Sequence, residues 1–354
     1  MIRKLRFSKS SAVLAGVLCA LGAPQAFADA IIYNTGDPDT ATLALGVKSH
    51  GQLNVTTGNI TANASATGLA FKFDDGISGE DWYDATAPGC LCEGWGVSAS
   101  GISGDANVAL GGADGLGLGS FASTASTATS DTFLTGYPEI MITHHYMPSV
   151  SSSLFEAVVT ITNTDDVTAT DVRYTRAMDW DIPPFEFAEY VTIGGTATTS
   201  ELLDFSDDGF DDPDPLAGPR ADIGGCGLGA DFVDCGPDDH GAIFDFGFGD
   251  LAAGDSRSFS IFYGATDTES EAEAALGEVG AELFSFGQSS PEGDPATFIF
   301  AFKGVGGEII FDDPTPDPPP SSTPPPTTAP EPGSLALLAF GLYGLTRKIK
   351  VNLS

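Results

Sequence analysis

Asp179 and Asp181 bracket a single tryptophan, Trp180. Side chains alternate along a strand, so the two carboxylates share one face and the indole takes the other. A pair of carboxylic acids is the machinery of glycoside hydrolysis. Trp82 and Trp95 are the aromatic rings that would line a sugar subsite beside it. The competing reading is structural: a buried acid pair neutralised by Arg173 and Arg176, two of the few cations of the central chain. No flanking motif separates an acid from a nucleophile, and the sequence contains no G-x-S-x-G, HExxH, phosphate loop or dinucleotide fingerprint. The salt-bridged reading is therefore favoured, no catalytic residue is expected, and the chain reads as a non-enzyme.

The second cluster is Glu201 to Asp214, ELLDFSDDGFDDPD. Asp204, Ser206, Asp208 and Gly209 imitate the opening of an EF-hand loop, but Pro215 stands where the bidentate glutamate belongs. A looser calcium loop through Asp204, Asp207, Asp208, Asp211 and Asp212 is the metal expectation, weighed against a plain solvated loop. No other cofactor is expected. Asp238, Asp239 and His240 belong to another acidic loop around Cys235. His144 and His145 are adjacent in a strand-like segment, so at most one of them faces a site.

Cys90, Cys92, Cys226 and Cys235 follow the N-terminal segment. An even number in an exported chain suggests disulfides, either two local pairs or a cross-link between two distant loops. Zinc is the alternative, with C-x-C and C-x8-C spacings that match the usual knuckles poorly.

The elements that would carry these residues read as strands. Glycine is abundant, and with Thr, Ser, Val and Phe it points to short strands joined by tight turns. Residues 29–311 are expected to form a mainly β domain, an antiparallel β-sandwich, with a division near residue 130 allowed. Strands are expected at Ala41–Val47, Gly51–Val55, Gly68–Phe73, Tyr137–Met147, Leu154–Asn163, Asp171–Asp179 and Thr297–Lys303. Two hairpins are expected, one turning at Thr164–Asp166 and one joining Ala242–Phe248 to Ser256–Tyr263. Thr268 and Glu271 make a capping box before a helix running from Glu269 to Leu283.

Both ends of the chain carry targeting grammar. Arg3, Lys4, Arg6 and Lys9 precede an apolar run, and Ala26-Phe27-Ala28 makes an A-x-A site before Asp29, so residues 1–28 read as a signal peptide that signal peptidase removes. Residues 312–329 are a Pro/Thr-rich spacer. Then come Pro330-Glu331-Pro332, an uncharged apolar segment over 333–346, and Arg347-Lys348. Breaker, greasy helix and basic stop in that order resemble the PEP-CTERM sorting domain of exported bacterial proteins, and the likeness covers the tail 330–354 alone. The resemblance implies processing by an exosortase near Pro330–Pro332, and delivery to the cell envelope, outer surface or extracellular matrix of a Gram-negative-type bacterium. It also implies an association with exopolysaccharide and biofilm. The apolar segment is shorter than the roughly 20 residues of a perpendicular span, so the hydrophobic helix is expected to hold the membrane only transiently.

The formal net charge is −35, with 49 acidic residues against 14 Lys and Arg, and half of those cations lie in the two terminal segments. So acidic a surface repels phosphate backbones, and no nucleic-acid partner is expected. The leading expectation is a non-enzymatic, exosortase-sorted envelope or matrix protein. The alternatives are a secreted carbohydrate-binding or polysaccharide-active β-sandwich and a calcium-stabilised adhesin.

Overall fold

Thr297–Lys303 reads TFIFAFK, apolar at nearly every position, as a strand buried on both faces should. A computed structural model describes residues 28–227 and 229–311. Residues 1–27 of the expected signal peptide, the expected spacer and the expected sorting tail with Pro330, Glu331, Pro332, Arg347 and Lys348 lie outside them.

The strands in chain order are β1 (Ala30–Tyr33), β2 (Leu43–Val47), β3 (Leu69–Asp74), β4 (Glu80–Asp84), β5 (Gly94–Ala99), β6 (Ile102–Asn107), β7 (Gly112–Asp114), β8 (Leu116–Ser123), β9 (Ala128–Leu134) and β10 (Tyr137–Pro148). They continue as β11 (Leu154–Asn163), β12 (Ala169–Asp179), β13 (Glu189–Gly194), β14 (Leu202–Ser206), β15 (Phe232–Asp238), β16 (Gly241–Leu251), β17 (Ser256–Thr266), β18 (Leu283–Gln288) and β19 (Thr297–Lys303). One helix, α1 (Glu269–Val279), lies between β17 and β18. All pairings are antiparallel, in three sheets: β1-β2-β3-β4, a nine-stranded β15-β13-β18-β19-β17-β11-β10-β9-β8, and β14-β16-β12-β5-β6-β7.

The nine-stranded sheet is the floor on which the other layers rest. One face of β19 carries Phe298, which meets Phe73 of β3 with ring centroids 6.2 Å apart, and Phe302, which meets Phe246 of β16 at 4.8 Å. Both smaller sheets thus cover the same face and share one core, giving a β-sandwich-like arrangement. The opposite face of β19, Ile299 and Ala301, packs with Phe284 and Phe286 of β18 under α1, through Ala272, Ala275, Leu276 and Val279. Burying a phenylalanine or leucine contributes roughly 1.5–3 kcal/mol, so this doubly covered strand is the most heavily committed part of the fold. Among the described residues, no helix is long and apolar enough to cross a membrane.

Several local expectations are corrected. Neither expected hairpin forms: β11 pairs with β10 and β17 in the floor while β12 pairs with β5 and β16 above it, and β16 and β17 likewise belong to different sheets. A turn between two alternating segments suits an arch between sheets as well as a hairpin within one, because both bury one face of each strand. Gly51–Val55 is not a strand; only Val55 makes a bridge, to Thr67. The helix stops at Val279, where Gly280 adopts φ 67° and its N–H turns back to Gly277 and Leu276 carbonyls. Strand β9 runs through position 130 and pairs on both sides, with β8 and β10. The described residues hold together within one unit.

Candidate functional site

Asp179 is the last residue of β12, opposite Gly241 of β16. As the chain leaves the sheet, the Trp180 N–H donates to the His240 carbonyl at 3.1 Å and the Asp181 N–H to the Ala85 carbonyl at 2.8 Å. Trp180 turns into the core and donates from Nε1 to Ser285 Oγ at 3.0 Å. The two carboxylates are buried too, Asp179 0 % and Asp181 1 % exposed. Strand β13 opens beside them: Glu189 pairs with Asp238 of β15, and its Oε1 accepts from the His240 N–H at 2.8 Å. Three chain segments therefore bring Asp179, Asp181, Glu189 and Asp239 to one end of the sandwich.

Burial, then the neighbouring acids, pushes these carboxyls upward. Asp179 lies well above the ordinary carboxylate range because it is buried and because Asp239, Glu189 and Asp208 bear on it. Burial and then Asp179 and Asp239 push Asp181 up to about 9. Glu189 is pushed up to about 9 by burial first and by Asp239 and Asp181, against the His240 N–H. Burial raises Asp239 as well, followed by Asp238. Asp179 Oδ1, Asp181 Oδ2, Glu189 Oε2 and Asp239 Oδ1 accept no hydrogen bond. Glu186, among the acids that act on Asp181, lines a cleft of about 280 Å³ together with Asp75, Asp81 and Pro184.

The expected neutralising arginines are elsewhere. Arg176 is three residues from Asp179 and so projects from the opposite face of β12, where it pairs with buried Glu93. Arg173 shares the Asp179 face but sits six residues, roughly 20 Å, along the strand, and it pairs with Asp171 at 2.9 Å. The expected aromatic wall is also absent. Trp95 is wholly buried, its ring 4.4 Å from His144 and its Nε1 donating to the His50 carbonyl at 2.9 Å. Trp82 sits on edge strand β4 against Tyr33, centroids 6.2 Å apart.

The acidic loop after β14 is organised by a guanidinium. Arg220, buried, donates to Asp245 through Nε at 2.7 Å and Nη2 at 2.8 Å, and through Nη1 to Asp211 at 3.1 Å and the Asp212 carbonyl at 2.7 Å. Its own N–H donates to Asp204 at 3.0 Å. Asp207 accepts from the Ile223 and Gly224 N–H groups and from His240 Nδ1 at 3.2 Å; Asp208 accepts from the Phe210 N–H, and Asp212 from the Asp214 N–H. Asp204, Asp207, Asp208, Asp211 and Asp212 thus answer to separate donors and do not converge as a calcium shell. The loop lies across the sandwich, with Gly209 so close to the Asp179 Cα and the Met178 carbonyl that a Cβ would stand 2.6 Å and 2.5 Å from them. Arg220→Met should cost about 2–3 kcal/mol, since it leaves Asp245 buried without its charge-assisted partners. Urea unfolding together with proteolysis inside 207–220 checks this, and an unchanged midpoint with an uncut loop would reject it.

The cysteines pair locally, Cys226 with Cys235 at 2.07 Å and Cys90 with Cys92 at 1.89 Å. Cys90 Sγ lies 3.0 Å from Asp179 Oδ2. Among the described residues, Cys226/Cys235/His240 and Cys90/Cys92/Asp179 are the groups whose ligand atoms all lie within 4.8 Å of one another. Both spend their sulfurs on disulfides.

Glu189 of the site, and Glu93, the partner of Arg176 away from it, are the acids that the sequence did not disclose. The signal was a lone acid opening or preceding an apolar strand, EYVTIG and EGWGVSA. No protein-family model matches the chain, and no curated protein matches it.

Proposed function

We propose that this chain is a non-catalytic exported protein whose β domain is displayed on the cell envelope or in the extracellular matrix, after an exosortase has processed its tail. The observation that carries this reading is the order Pro330-Glu331-Pro332, apolar segment, Arg347-Lys348 at the end of a chain that opens with a cleavable-leader pattern. The proline-rich spacer would hold the domain away from the membrane, and the acidic composition suits an extracellular matrix that binds cations. An antiparallel sandwich with two local disulfides is the architecture such a location favours.

The polysaccharide-active alternative is disfavoured by burial. Asp179 and Asp181 are closed off from a polymer, and Trp95 belongs to the core. In a host carrying an exosortase, intact mass should show a protein that begins at Asp29 and lacks Arg347 to Ser354. Replacing Pro330-Glu331-Pro332 by alanines should leave the tail attached and the protein in the membrane fraction. Secreted protein that still carries Arg347 to Ser354 would overturn the reading, and reducing-sugar release abolished by Asp179→Asn would establish the enzyme instead.

A further inference from the structure

We infer that Asp179, Asp181, Glu189 and Asp239 bind a divalent, oxygen-preferring cation, calcium, at the strand ends above Trp180. The first argument is an accounting of acceptors. Asp179, Asp181 and Glu189 are 0–1 % exposed, and each keeps one carboxylate oxygen with no donor, as Asp239 does. Buried acceptors in folded proteins are nearly always satisfied, and each exception costs free energy comparable to a lost hydrogen bond. Four such oxygens from three chain segments lie at the same end of the sandwich, and one cation drawn in among them would satisfy them together.

The second argument is the contrast with the neighbouring acidic loop. There Arg220 supplies the positive charge for Asp211 and Asp245. Around Asp179, Asp181 and Glu189 the charged groups that bear on them are acids: one another, Asp239, Asp208, Asp84 and Glu186. His240, beside Asp239 in the chain, directs its Nδ1 to Asp207. The fold provides a buried guanidinium for one acidic cluster, and for the other only the His240 imidazole, which bears on Asp239.

Donor chemistry and spacing select the ion. Carboxylate oxygens suit calcium, magnesium or manganese, and the nearby Cys90 and Cys92 are paired as a disulfide and offer no thiolate for zinc. No three of the four acids have ligand oxygens mutually within 4.8 Å, so the empty cluster stands open and an ion must draw it in. Calcium, with ligands at about 2.3–2.6 Å and tolerant geometry, asks for less contraction than magnesium at about 2.0–2.1 Å in a strict octahedron. The inference stands whether or not the tail is sorted; under the proposed location, the ion would load after export, where extracellular modules bind calcium with dissociation constants of about 10⁻⁴–10⁻³ M.

The test is thermal unfolding and equilibrium dialysis of the purified full-length protein, stripped with EDTA and then given calcium, magnesium or zinc chloride. Ten millimolar calcium should raise Tm by about 2–5 °C, with one ion bound per chain and magnesium clearly weaker. In Asp179→Asn/Asp181→Asn that shift should disappear while the stripped variant melts no lower than the stripped parent, because the substitution keeps the shape and removes repulsion. Asp211→Asn/Asp212→Asn, in the loop held by Arg220, should retain the shift. A parent that binds no calcium at 10 mM overturns the inference, as does binding that survives in Asp179→Asn/Asp181→Asn, loss confined to the loop variant, or a response to zinc alone.

Discussion

Arg176→Met should destabilise the domain by about 3–5 kcal/mol, the cost of leaving a buried carboxylate without its counter-charge. Arg176 and Glu93 are in direct contact with both side chains wholly buried. Burial opposes charge on both, and outweighs Arg176 in pushing Glu93 upward, while Glu93 and the surrounding tyrosines push Arg176 well above its ordinary value. The ion pair is the state that the neighbours favour: the Leu53 N–H donates to Glu93 Oε2 at 2.6 Å, Arg176 donates to the Gly51 carbonyl at 3.2 Å, and its guanidinium lies 5.4 Å from the centre of the Tyr263 ring. The pair thereby stitches the irregular segment around Gly51–Leu53 to the middle of β12. Glu93→Gln added to Arg176→Met should recover a large part of the loss, since the amide can still accept from Leu53 and no charge is stranded. Equilibrium urea unfolding of the single and double variants checks this, and a double variant no more stable than the single would refute the charge argument.

In the presence of EDTA, stability should fall as pH rises from about 4 to about 7, with Asp84 one of the groups responsible. Asp84 is wholly buried, and burial pushes its carboxyl up to about 7 even though the Gly68 and Thr86 N–H groups donate to it at 2.7 Å and 2.9 Å. A group whose folded value is raised holds its proton more tightly in the native state. Its stabilisation is therefore complete below the unfolded value near 3.9 and is lost as pH climbs through the folded value. Asp84→Asn should be less stable at pH 4, because the amide cannot accept at both positions, and its stability curve should be shallower by up to about 1.4 kcal/mol per pH unit between pH 4 and 7. Parallel curves for parent and variant would show that Asp84 is ionised throughout.

Where strands lie was written in the local pattern; which strands meet was not. Leu154–Asn163 and Thr297–Lys303 have in the structure the bounds that alternation and apolar runs indicate. The start of α1 at Glu269 follows from Thr268, whose Oγ1 accepts from the Glu271 N–H at 3.3 Å. Pairing is a long-range choice, and β11 and β12 show the gap: one short acidic turn links them, yet they lie in different sheets. The same gap divides the candidate site. Asp179 and Asp181 declare a shared face through their spacing, but Glu189 and Asp239 reach them only through the β13–β15 register. Charge partners are equally non-local, so the arginine nearest in sequence to Asp179 serves Glu93 instead, and the loop that imitates a calcium motif is filled by an arginine beyond its far end.

Asp29 gives the N-terminal end of the domain a temporal meaning. Its carboxylate holds Lys48 Nζ at 2.8 Å and the Ser49 N–H at 3.0 Å, and Ala30, the next residue, is already paired with Val47. A peptidase must take the bond after Ala28 as an accessible, extended stretch, and a closed first sheet withholds the residues on its downstream side. Under the export proposed above, leader removal after Ala28 would have to come before β1 docks on β2, so that the domain folds from its cut end.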